Sequence, residues 1–117
     1  YVSVDGGMGD NIRPALYESE YAVVPVDRPL AERNHTVTVA GKFCESGDVL
    51  ARDVDLPEPE TGELLALPAS GAYCLMMASN YNMQTRPAVV LVNQGTSRLI
   101  RRRETYKDLL ASSIDFD

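Results

Sequence analysis

His35-Thr36-Val37-Thr38-Val39-Ala40 leads through Gly41-Lys42-Phe43-Cys44-Glu45-Ser46-Gly47-Asp48 into Val49 to Leu56, and this stretch decides the fold. The first six residues alternate and are rich in β-branched side chains, as a half-buried strand requires. Gly41 and Gly47 bracket a turn, and Val49 to Leu56 is a second strand ended by Pro57. Working outward, Val2 to Asp5 predicts a strand closing at a Gly6-Gly7 turn. Tyr21 to Val26 predicts another, with Pro25 near its end, and Glu63 to Leu67 a short one. Ala88 to Val92 is a continuous apolar run, expected to be a strand buried on both faces. Asn93-Gln94-Gly95-Thr96 then turns the chain into Ser97 to Arg102. Pro57 to Gly62 is a loop on composition. Short helices are expected at Tyr73 to Asn80 and Glu104 to Leu110. Pro14 can open a helical turn ending at Tyr17, although it disfavours helical geometry at Arg13.

Many short strands with Gly/Pro turns and no βαβ alternation indicate an all-β sandwich or barrel. At 117 residues the chain suits one domain, over residues 1–111, with a loose tail at 112–117. It opens on Tyr1-Val2-Ser3-Val4, which reads as mid-strand, so a fragment of a longer protein is expected.

The net charge of −6 lacks the basic footprint that nucleic-acid binding needs. No run approaches ~18 apolar residues, so no membrane span is expected, and no signal peptide is visible. Acids gather from Glu45 to Glu63 and bases from Arg98 to Lys107. They read as solvated faces, the alternative being complementary patches that bring two copies together. Cys44 and Cys74 are too few for a disulfide framework and read as free thiols of a reducing cytoplasm. His35, the one histidine, is a strand-end surface residue, and no zinc site is expected.

Several residues can carry chemistry. Cys44 has polar neighbours, so its thiol is expected to be exposed and reactive, whereas Cys74, Met76 and Met77 are expected in the core. Arg13 and Tyr17 stand four apart, and on one helical turn their fork and phenol can form a carboxylate clamp, the alternative on spacing alone being a surface Arg with a half-buried Tyr. Tyr73 could equally be a core aromatic. Gly6-Gly7 lacks a phosphate-loop pattern, and Arg101-Arg102-Arg103 fits a solvated strand end.

Three segments carry a resemblance: Asp5-Gly6-Gly7-Met8 through Arg13-Pro14-Ala15-Leu16-Tyr17, Phe43-Cys44-Glu45-Ser46-Gly47-Asp48, and Gly71-Ala72-Tyr73. Together they resemble the C-terminal domain of the bacterial diaminopimelate decarboxylases, alanine-racemase-like (fold type III) pyridoxal 5'-phosphate enzymes of lysine biosynthesis. The resemblance implies a Greek-key β-barrel that follows a (β/α)8 barrel and gains a strand from the far N-terminus of the full protein. It implies decarboxylation of meso-diaminopimelate to L-lysine by a cytoplasmic homodimer. Cys44 would return a proton to the substrate carbon in the other subunit's active site. Arg13 and Tyr17 would hold the distal carboxylate, Glu45 and Ser46 would bind substrate, and Tyr73 would touch both cofactor and substrate. Neither Lys42 nor Lys107 matches the family's Schiff-base lysine, which is expected in the missing barrel. Two alternatives stay open: a stand-alone non-catalytic β-barrel binding module, and a decarboxylase of the ornithine or arginine type. The latter typically carry aspartate after the cysteine, and Glu45-Ser46 argues against them.

Overall fold

The computed structural model describes residues 1–114. It divides into two compact units, Tyr1–Ala78 and Ser79 onwards. The fold is mainly β with a few one-turn helices, and no closed barrel forms among the described residues.

In the first unit β1 (Val2–Ser3), β3 (His35–Ala40) and β4 (Val49–Leu56) form one sheet in the order β1-β3-β4. β3 and β4 run antiparallel and carry the bounds their sequence pattern predicts; β1 joins parallel to β3. Val39 pairs with Ala51 and Val37 with Val54, so β4 spends one more residue than β3 between those pairs. Asp53 takes the left-handed conformation there (φ 50), as a bulge requires. A second ribbon pairs β2 (Val24–Pro25) with β5 (Leu65–Ala66). β2 is shorter than the six residues expected, and Pro25, which has no N–H to give a ladder, sits at its end. Val23, Val39, Leu50, Ala51 and Leu56 form the core, with Val37, Val54, Leu65 and Leu67 packed on it. Val39 is wholly buried, and sealing one such side chain from water contributes roughly 1.5–3 kcal/mol.

The segment joining β3 to β4 is fixed by one carboxylate. Asp48 is only 3% exposed. Its Oδ1 accepts the Met8 N–H at 2.6 Å and its Oδ2 the Phe43 N–H at 2.7 Å. Its backbone carbonyl accepts the Gly41 N–H at 2.8 Å. A Cβ at Gly41 would collide with this carboxylate, and one at Gly7 would lie 2.7 Å from Oδ1, so both positions exclude a side chain.

In the second unit β6 (Val89–Asn93) and β7 (Thr96–Arg101) form an antiparallel hairpin. Gln94 and Gly95 both take positive φ, the geometry that matches a two-residue turn to strand twist. The expectation that Ala88 to Val92 is buried on both faces fails: Val90, Leu91 and Val92 are exposed. A continuous apolar run marks a strand covered on two sides only when layers exist to cover it, and this one sits in a two-stranded ribbon. The arginine-rich strand end is ion-paired, Arg101 to Glu104 at 3.5 Å and Arg102 to Asp108 at 2.7 Å. Asp108 also reaches back to the Thr105 N–H at 2.7 Å, capping α3 (Tyr106–Leu109). The expected loose tail begins at Ser112; residues 115–117 lie outside the described residues.

Asp48→Ala should destabilise the first unit by about 3 kcal/mol, because it leaves two inward-facing N–H groups without their charged acceptor. Denaturant titration of the purified variant measures this, and a loss under ~1 kcal/mol would contradict it. Stability should also fall in acid. Hydrogen bonds from Arg28 to Glu63, from the Arg86 backbone to Glu104 and from Arg102 to Asp108 hold all three carboxyls below their ordinary range. The unfolded chain therefore takes up their protons first. Their contribution is complete above the ordinary carboxylate range and is lost as pH falls from there through their depressed values. Thermal midpoints between pH 6 and pH 3 should decline, less steeply in high salt.

Candidate active site

Arg13 opens α1 (Arg13–Tyr17), so the bias of Pro14 against helical geometry at Arg13 is overcome. Asn11 Oδ1 accepts the Arg13 N–H at 3.2 Å, a local bond that offsets the steric bias of the following proline. The helix stops at Glu18, left-handed at φ 55, whose N–H returns to the Pro14 carbonyl at 3.1 Å. One helical turn sets Arg13 and Tyr17 on a shared face, with the guanidinium carbon 5.8 Å from the Tyr17 ring centre. The same carbon lies 5.2 Å from the Tyr73 ring centre. A guanidinium within ~6 Å of an aromatic face is attracted to it. Arg13 Nε is buried and has no hydrogen-bond partner among the described residues.

Tyr73 is 68% exposed, so it is not the core aromatic that its sequence position equally allowed. Its backbone is strained at φ 66, immediately before α2 (Cys74–Met77). Cys74 is buried as expected, but Met76 is 86% exposed, which corrects its expected place in the core. A single helical turn shows the core only one side, and Cys74 takes it.

Cys44, Glu45 and Ser46 form a second group on the β3–β4 turn. Cys44 is a free, exposed thiol. Glu45 Oε1 accepts the Gly47 N–H at 3.3 Å and the Ser46 hydroxyl at 3.4 Å, so the carboxylate folds over its own turn. The Asp48 N–H donates to the Glu45 carbonyl at 3.0 Å, which closes the turn beneath it. A Cβ at Gly47 would lie 3.9 Å from Ala15 Cβ, so this turn runs beside α1. A cavity of about 830 Å³ in the same region is lined by Ala15, Glu18, Tyr21, Gly47 and Arg52. Neither Cys44 nor Arg13 lines it.

The sequence reading assigned no role to Asn11 and Tyr21, and to Asp48 only a place in the turn after Cys44. Asp48 follows Ser46-Gly47, the kind of turn that an acid side chain closes by bonding backbone. Asn11 stands two residues before Arg13, within reach of its N–H.

The residues present fit one edge of a pyridoxal cofactor only. Tyr73 offers an exposed phenol beside a cation. Lys42 sits 5.9 Å from the Phe43 ring, and Lys107 lies on the one-turn α3; neither lines a described cavity. Among the described residues no group of three or more His, Cys, Asp or Glu could hold a metal ion, and no helix is long and apolar enough to cross a membrane.

Residues 1–71 match the family model described as pyridoxal-dependent decarboxylase, C-terminal sheet domain. The chain therefore belongs to the family of these C-terminal sheet domains of pyridoxal-dependent decarboxylases. All the candidate residues except Tyr73 fall inside the matched stretch. The diaminopimelate decarboxylase of Synechocystis sp. is 58% identical over 110 residues, covering 94% of this chain and 24% of that protein. That of Bacillus subtilis is 51% identical over 116 residues, covering 99% and 26%. The crystal structure of the M. jannaschii enzyme in complex with L-lysine superposes with a TM-score of 0.87 at 42% identity, covering 97% of this chain and 26% of that one. The chain thus spans about a quarter of the length of the relatives it matches.

The two thiols should differ in reactivity. Under native conditions a thiol reagent should modify one cysteine per chain rapidly and the second only after denaturation. Cys44→Ser should abolish the rapid phase; its persistence would place the exposed thiol at Cys74.

Proposed function

We propose that this chain is the substrate-closing C-terminal domain of a diaminopimelate decarboxylase, which converts meso-diaminopimelate to L-lysine in the cytoplasm. The observation that carries the proposal is Arg13: a cation between two tyrosine rings, with a buried Nε that lacks a partner. Such a fork is complementary to a carboxylate, and diaminopimelate has one at the end remote from the reaction. Relatives named for that substrate, and one solved with L-lysine, support the assignment.

Pyridoxal phosphate, bound through a lysine outside this chain, would accept the electron pair left when carbon dioxide departs. The residues of this chain do the rest. Arg13 and Tyr17 grip the distal carboxylate. Glu45, with Ser46 beside it, accepts hydrogen bonds from the distal ammonium. Tyr73 borders substrate and cofactor. Cys44 Sγ holds the proton that is delivered to the reacting carbon. The exposed turn suits a thiol that enters the site of a second subunit across a twofold axis. Residues 1–111 then act as one functional domain, and a strand from elsewhere in the parent chain completes the Greek-key barrel.

The test uses the full-length parent. Cys44→Ala should lower kcat by roughly 10²–10⁴, the usual worth of a general acid, with KM changed only a few-fold. Arg13→Ala should raise KM. Mixing the Cys44→Ala parent with one lacking the cofactor lysine should restore activity, because one site of the mixed dimer then has both groups. An unchanged kcat would remove Cys44 from the chemistry. Verified mixed dimers no more active than the two variants alone would return the thiol to its own subunit.

A further inference from the structure

We propose that Cys74 is a positioning residue: its buried thiol, through Asn11, locks Tyr73 against Arg13 and so sets the shape of the carboxylate clamp. The inference rests on the reading of Arg13 and Tyr73 as substrate-binding.

Cys74 is 4% exposed and Asn11 6%. Cys74 Sγ donates to Asn11 Oδ1 at 3.2 Å, across 63 residues of sequence. The Tyr21 hydroxyl lies 3.4 Å from the same sulfur. A thiol has one proton, and it is given to Asn11, so the Tyr21 hydroxyl donates to Sγ. The bond to Cys74, and then burial, raise the Tyr21 pKa, in keeping with a phenol that stays a neutral donor. The Asn11 oxygen also accepts the Arg13 N–H at 3.2 Å. One carboxamide oxygen therefore holds the start of α1 on one side and the residue after Tyr73 on the other.

Tyr73 needs such an anchor. A non-glycine residue at φ 66 is strained and persists only where its surroundings over-determine it. Its ring is exposed and gains little from packing. The determinant is the neighbouring buried thiol, helped by the Met77 N–H bonded to the Tyr73 carbonyl at 2.9 Å. Freed of it, the Tyr73 ring would leave the guanidinium, and Arg13 would lose one of the two faces that orient its fork.

The test measures kinetics on the full-length enzyme. Cys74→Ala should raise KM for diaminopimelate roughly three- to tenfold, the worth of about one hydrogen bond, with kcat within about twofold. Cys74→Ser keeps a donor and should return KM to within about twofold of the parent. Tyr21→Phe should raise KM by a smaller factor, and it decides the matter if Cys74→Ala does not fold. Met76→Ala, on the exposed side of the same turn, should leave both constants unchanged. An unaltered KM in Cys74→Ala, a serine variant as impaired as the alanine one, or an unaltered KM in Tyr21→Phe would each overturn the positioning role. Arg13→Ala and Tyr73→Ala separate the two levels. If they too leave KM unaltered, the clamp itself is wrong; if they raise it while the Cys74 and Tyr21 variants do not, only the positioning inference falls.

Discussion

The Asp48 carboxylate is the constraint on which the first unit depends. A buried acid is costly unless charge-assisted bonds replace its water. Here the N–H groups of Met8 and Phe43 do so, at 2.6 and 2.7 Å. That requirement draws the loop after β1 onto the turn between β3 and β4. Lys42 N–H to Gly6 carbonyl at 3.2 Å adds a backbone bond to the same junction. Gly7 and Gly41 follow from it, since a side chain at either would occupy the space of the carboxylate or the Phe43 ring. The exposure of Cys44 follows as well. With Phe43 N–H and Asp48 both directed inward, the residues between them form the outer arc of the turn, and the thiol sits on it.

The candidate residues are mounted in two ways. Arg13, Tyr17 and Tyr73 are set by a helical turn, a strained backbone and a small buried polar network. Cys44, Glu45 and Ser46 ride on a loop whose two ends are strands of the core. Both arrangements set the candidate groups at or near the surface with ordered bonds beneath them, as loops on a rigid scaffold generally do. The tyrosine rings serve Arg13 doubly. They attract the guanidinium through their faces, and they restrict the long side chain, which under the proposed function lowers the entropy lost when a carboxylate is bound.

What was legible in the sequence follows from how local each signal is. β3 shows its bounds because alternation and β-branching are written within it, and β4 because the Gly47 turn and Pro57 bracket it. The exposed Cys44 was readable from its polar neighbours, and the Arg13–Tyr17 pair from a spacing of four. Burial was less readable, because it depends on what lies across from a residue. Met76 and the run at Val90 to Val92 are apolar in sequence yet exposed, since a one-turn helix and a two-stranded ribbon each lack a second layer. Tyr73 was undecided for the same reason. Asn11, Tyr21 and the anchoring role of Asp48 were not legible because they have partners 40 to 63 residues away, which no window along the chain can capture.

The second unit is held by the same chemical device as the first. An isolated two-stranded ribbon is marginal in water, and this one exposes Leu99 and Ile100 as well as the valines of its partner strand. Its apolar burial is therefore too small to account for its order. Glu104 supplies the closure instead. Its carboxylate accepts the Arg86 N–H at 2.8 Å, the Arg86 guanidinium at 2.9 Å and the Asn80 amide at 2.7 Å, while its own N–H returns to the Arg86 carbonyl at 3.1 Å. These bonds tie the segment before β6 to the segment after β7, so the ribbon's two ends are clasped at the base opposite its turn. Asp48 gathers the backbone N–H groups of Met8 and Phe43 onto one acid, and Glu104 the Arg86 N–H together with a side-chain amide and a guanidinium. They differ in setting: Asp48 is enclosed by glycine loops, whereas Glu104 is partly open and neutralised by arginine. An acid that satisfies backbone donors fixes loop geometry without needing apolar area. In a chain whose strands are mostly short and thinly covered, that is the interaction best able to define where the loops, and hence the reactive groups, lie.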